Sequence, residues 1–141
     1  MTNKIESGGF NPELNQEFLE IGNNVYEAVE KSSLEDGEFV EIGDMSFYVM
    51  YFDDLEQDDP QAWYSWNSSV ADVDIYIYSK LADSEKRRSM FHVMLQSLLR
   101  DQLAESDKTD SEENLKQKSY ALALIQEEER YGKRSEGFKI D

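Results

Sequence analysis

Asp72-Val73-Asp74-Ile75-Tyr76-Ile77-Tyr78 changes character at every step. Side chains on a strand point to alternate faces, so Val73, Ile75 and Ile77 share one face while Asp74, Tyr76 and Tyr78 share the other. This is the pattern of a half-buried strand. On its N-terminal side, Phe39, Val40 and Ile42, a Gly43-Asp44 turn and the run Met45–Phe52 (MSFYVMYF) predict a hairpin. The stretch 53–67, with Pro60 inside it, reads as a long acidic and aromatic loop. On the C-terminal side, Asp83 or Ser84 caps a helix to about Ala104. Met90, Phe91, Met94, Leu95, Leu98 and Leu99 give that helix a wide apolar face, so it is expected at the centre of the core. Thr109-x-x-Glu112 matches a capping box, opening a third helix that carries Leu115, Leu122 and Ile125 to about Tyr131. At the other end of the chain, Asn11-Pro12-Glu13 reads as a helix start. Leu14, Phe18, Ile21, Val25, Ala28 and Val29 supply the apolar stripe that follows. The expected fold is α+β: an N-terminal helix, a small antiparallel sheet of about three strands, and two C-terminal helices. It is expected to form one domain over 11–131, between a mobile arm (1–10) and a polar tail (132–141).

The chain has 141 residues, enough for one core without covalent staples. It has no cysteine, which excludes disulfides, thiolate nucleophiles and cysteine metal sites. Acidic residues outnumber basic ones 31 to 14, and the net charge is -17. Direct binding to nucleic acid or to an anionic membrane is therefore not expected. No apolar run reaches membrane-spanning length and the N-terminus does not read as a signal sequence, so a soluble, cytoplasmic protein is expected. The charge is also segregated. Residues 1–79 carry eighteen acidic side chains against two basic ones, whereas residues 80–141 carry thirteen against twelve. No Lys or Arg occurs between Lys31 and Lys80, where twelve Asp and Glu fall. A one-sided negative field of this kind suits a basic surface on a partner protein.

Motifs for chemistry are sparse. His92 is the only histidine, and neither a second zinc ligand nor an orienting carboxylate is apparent for it. It reads as a residue packed at the edge of its helix. Asp53-Asp54 and Asp58-Asp59 lack the alternating oxygens and fixed glycine of a calcium loop. Glu127-Glu128-Glu129 reads as a solvated run near a helix end. No residue is assigned a catalytic role, and no metal or cofactor is expected. The densest feature is aromatic: Phe47, Tyr48, Tyr51, Phe52, Trp63, Tyr64 and Trp66 are interleaved with acidic residues. Asp53, Asp54, Glu56, Asp58, Asp59, Trp63, Tyr64, Trp66, Asp72 and Asp74 are the expected partner-binding residues, with Trp63 and Trp66 as exposed anchors in the loop.

Across residues 39–131 the layout resembles a small zincin-like metallopeptidase domain of phage or mobile-element type. The likeness is carried by Val73-Asp74-Ile75-Tyr76-Ile77, then Ser84-Glu85-Lys86-Arg87-Arg88, then His92-Val93-Met94-Leu95-Gln96. His92 stands at the first ligand of the H-E-x-x-H motif, whereas Val93 replaces the catalytic glutamate and Gln96 replaces the second ligand. The resemblance thus implies an inactive relative, a scaffold put to another use. The expected function is a non-enzymatic inhibitor that presents acidic groups to a nucleic-acid-binding protein or nuclease in place of DNA. A structural or assembly protein and a divergent zincin-like metallopeptidase are the alternatives.

Overall fold

Alternation at residues 72–78 leads to a strand that ends up inside the sheet rather than at its edge. The computed structural model describes residues 15–67 and 72–134. Its elements are α1 (Gln16–Glu30), β1 (Glu38–Ile42), β2 (Met45–Phe52), β3 (Ala62–Asn67), β4 (Asp72–Tyr78), α2 (Asp83–Ser106) and α3 (Glu112–Tyr131). The α+β class and the helix–sheet–helix–helix order are as expected. The sheet, however, has four strands in the order β1-β2-β4-β3, not three.

It is also mixed rather than antiparallel. β1 and β2 form the expected antiparallel hairpin, with Val40 opposite Phe47. β2 and β4 run parallel, with Phe47 beside Val73 and Val49 beside Ile75. The extra strand is β3, built from residues expected in the loop, and it pairs antiparallel with β4. A parallel pair needs a crossover, and here residues 53–61 carry the chain past the place of β4 to the far edge. β3 then leads back, and β4 fills the gap.

The apolar side of the sheet carries Val40, Ile42, Phe47, Val49, Ala62, Val73, Ile75 and Ile77, all buried. α2 packs across β3 and β4, α1 lies against α2 and β1, and α3 packs against α2. Because α2 is enclosed by these neighbours, an unbroken run from Arg88 to Ser97 is buried, followed by Leu99. Leu98 is only partly buried at the margin of this core. α1 approaches α3 closely at Gly22. A β-carbon there would come within 1.9 Å of Gln126 Oε1, and Gln126 Nε2 donates to the Phe18 carbonyl at 3.1 Å.

The helix starts differ in detail from those expected. α1 is capped by Asn15, whose Oδ1 accepts from Phe18 N at 2.8 Å. Asn11, Pro12, Glu13 and Leu14, like the arm 1–10, lie outside the described residues. α2 starts after Ala82 with no side-chain cap, not at a capping Asp83 or Ser84. α3 is capped by Ser111, which accepts from Asn114 N, while Thr109 is held by Asp107. Of the tail, residues 135–141 lie outside the described residues. Arg134 does not hang free: it reaches back into the interior to pair with Glu127 at 2.7 Å.

Leu95 is fully buried and Leu98 is not. Leu95→Ala is predicted to cost about 2–5 kcal/mol in urea unfolding, and Leu98→Ala clearly less. Equal losses at the two positions would mean that the orientation of α2 is wrong.

Candidate functional site

Every helix packs on one side of the sheet, so the opposite side is left without a helical layer among the described residues. The register determines what stands there. Four rows cross the strands on this open side. The first holds Glu41, Ser46 and Asp72; the second Phe39, Tyr48, Asp74 and Ser65; the third Met50, Tyr76 and Trp63; the fourth Phe52 and Tyr78. The middle of the face is therefore aromatic and one end is acidic.

These rings touch one another. Trp63 stacks on Tyr76, with centroids 5.0 Å apart and planes at 18°. Phe52 lies 4.9 Å from Trp63 and 5.7 Å from Tyr78. Phe39 lies 4.7 Å from Tyr48 and is 69% exposed. Rings in such contact are held rigid, which lowers the entropy lost when a partner covers them.

The expected binding residues divide among three places. Trp63, Asp72 and Asp74 lie on the open face. Tyr64 and Trp66 fall on the other side of β3, partly buried against the core beneath the helices. Trp66 is therefore not an exposed loop anchor, and Tyr64 is not an anchor on the open face. The reason is the two-residue period: once 62–67 is a strand, Trp63 and Trp66 must face opposite ways. Asp53, Asp54, Glu56, Asp58 and Asp59 lie exposed in the crossover beyond the fourth row. Two of them also shape it. Ser79 Oγ donates to Asp53 at 2.5 Å, and Asp59 accepts from Glu56 N at 3.2 Å. Phe39, Tyr48, Phe52, Tyr76 and Tyr78 join the site beyond the residues expected from the sequence. The alternation in 72–78 carried a signal for Tyr76 and Tyr78, since it put them with Asp74.

The field on this face is uniform in sign. All four strands and the segments that join them lie within residues 38–78, which contain no Lys or Arg, and the nearest cation along the chain is Lys80, just after β4. Among the described residues, neither Asp72 nor Asp74 has an ion-pair partner.

A second cluster lies in the interior between α2 and α3. His92 and Glu127 are both buried, with Nδ1 of the imidazole 2.8 Å from Glu127 Oε1. Glu127 Oε2 accepts from Arg88 Nε at 2.7 Å and pairs with Arg134 Nε at 2.7 Å. Arg88 also donates to the carbonyls of Tyr131 and Gly132. Glu127 is thus not part of a solvated run, and it is the orienting carboxylate that was not apparent for His92. Burial pushes the His92 pKa below its ordinary 6.5, outweighing the neighbouring carboxylate. Burial alone would raise Glu127, but its bonds to His92, Arg134 and Arg88 hold it below the usual range.

This cluster does not fit metal or acid–base chemistry. A catalytic zinc centre needs three protein donors with an open position, and a structural one needs four. Here one imidazole and one carboxylate face each other, and the carboxylate already serves two guanidinium groups. Among the described residues no group of three or more His, Cys, Asp or Glu could hold a metal. His92 Nε2 is sealed from solvent, and the Gln96 side chain lies against the imidazole. Gln96, also buried, borders a cavity of about 240 Å³ lined by Tyr64, Arg100, Glu112, Glu113 and Lys116.

The chain matches no protein-family model, no curated protein and no solved structure. Among the described residues, no helix is long and apolar enough to cross a membrane.

Removing the carboxylate would leave two buried guanidinium groups uncompensated. Glu127→Ala is predicted to lose about 3–5 kcal/mol in urea unfolding. His92 adds a pH dependence. Its folded pKa is depressed, so its contribution is fully present above 6.5 and is lost as pH falls through the lower, folded value. His92→Gln is predicted to remove that loss between pH 7.5 and 5.5 relative to the parent chain. Parallel pH curves for the two proteins would show that His92 is not buried in its neutral form.

Proposed function

We propose that this chain is a non-enzymatic binding protein that docks the open face of its sheet on a basic surface of a partner protein. The carrying observation is one face whose strands combine contacting aromatic rings, carboxylates with no ion-pair partner among the described residues and no basic residue, on the side that no helix of the described residues covers. Interface hot spots are built from Trp and Tyr anchors that exclude water. Carboxylates around them add steering and reject acidic partners. A partner surface that matches this face has the charge of a nucleic-acid-binding site, and occupying it would compete with nucleic acid. The reading is therefore an acidic inhibitor that takes the place of DNA on a nuclease or other nucleic-acid-binding protein. A metallopeptidase reading draws no support from the His92 cluster, whose carboxylate is already neutralised by arginines.

Affinity capture at low salt, followed by kinetics on the captured protein, tests this. Binding is predicted to weaken steeply with ionic strength, since exposed charges are screened beyond about 8 Å under physiological conditions. Asp72→Lys with Asp74→Lys should slow association most, and Trp63→Ala should mainly speed dissociation. Asp101→Lys with Glu129→Lys, both at exposed positions on the helical layer, should change little. Added duplex DNA should displace the chain. Equal losses from both pairs of reversals would mean that the charge is only a general coat, and a ternary complex with DNA would exclude mimicry.

A further inference from the structure

Resting on the docking of a basic surface at this face, we infer that the face selects arginine over lysine, so that the partner presents an arginine-rich extended segment. The strand register creates the necessary juxtaposition. Asp74 on β4 lies between Tyr48 of β2 and Ser65 of β3. Tyr76, two residues on and on the same face, stacks on Trp63 at 5.0 Å. A carboxylate thus stands one row from a stacked pair of rings.

Arginine and lysine carry the same charge, so the long-range field does not distinguish them. Contact does. A guanidinium is planar, weakly hydrated and able to lie on a ring while its edge donates two parallel bonds to a carboxylate. An ammonium is a compact, strongly hydrated point charge with no flat surface to stack. Indole is the best of the aromatic partners for a cation. Asp72 repeats the carboxylate one row along, about 6.6–6.8 Å away at the usual strand rise. Alternate side chains of an extended segment have that same spacing, so an Arg-x-Arg stretch can place one guanidinium by each aspartate.

The test compares two eight-residue peptides of equal charge, all-arginine and all-lysine, by calorimetric titration of the full chain. The arginine peptide is expected to bind about ten-fold tighter. Asp74→Asn, which preserves side-chain shape, and Tyr76→Leu should each bring the ratio close to one. Asp54→Asn, in the crossover, should lower both affinities alike and keep the ratio. Equal affinities for the parent chain would overturn arginine selection while leaving docking by charge intact. A preference that survives both Asp74→Asn and Tyr76→Leu would overturn its placement on this face. No salt-sensitive binding of either peptide would overturn the docking reading itself.

Discussion

One-sided burial of the sheet is the constraint on which the rest of the molecule depends. Val73, Ile75 and Ile77 are wholly inaccessible, and each such side chain contributes about 1.5–3 kcal/mol only if something covers it. α2 supplies the cover. A helix that is buried around most of its circumference needs further neighbours of its own, and α1 and α3 provide them. The three helices of the described residues are then all committed to one side. The opposite side keeps the other half of the strand pattern, Asp72, Asp74, Tyr76 and Tyr78, with nothing from the helical layer above it. The half-exposed aromatic face is thus a consequence of the same alternation that builds the core.

The Arg88–Glu127–His92–Arg134 cluster belongs to this scaffold. A buried ion pair is weak support for stability compared with apolar packing, but it is demanding about geometry. Here it ties α2 to α3 and, through the carbonyls of Tyr131 and Gly132 and through Arg134, to the chain beyond α3. Its position inside the helical layer, remote from the acidic face, separates the molecule into a structural half and a binding half. The charge asymmetry of the sequence follows this division: the sheet region has no cation, and the C-terminal helices contain nearly equal numbers of both signs.

Much of this was legible in the sequence, for identifiable reasons. The period-two run at 72–78, the Gly43-Asp44 turn and the apolar face of α2 are local signals, and each leads to the element observed. β3 escaped because Ala62-Trp63-Tyr64-Ser65-Trp66 puts aromatic groups on both faces and shows no polar–apolar alternation. The parallel β2–β4 pairing escaped because it depends on a crossover, which no local pattern encodes. Missing β3 carried over into the site, where Trp66 and Tyr64 were expected beside Trp63 and lie instead on the far side. Glu127 was hidden by its context, since a carboxylate within a run of three glutamates reads as solvated unless its partners, 35 and 39 residues away, are known.

The most direct test of the bare sheet face as the docking face is its mapping by nuclear magnetic resonance during titration with a basic peptide. Amide and indole shifts are expected to move at Tyr48, Trp63, Asp74 and Tyr76, while the Trp66 indole stays in place. Shifts spread evenly over acidic positions such as Glu20, Asp101 and Glu129, with Trp63 and Tyr76 no more affected than the rest, would contradict the account.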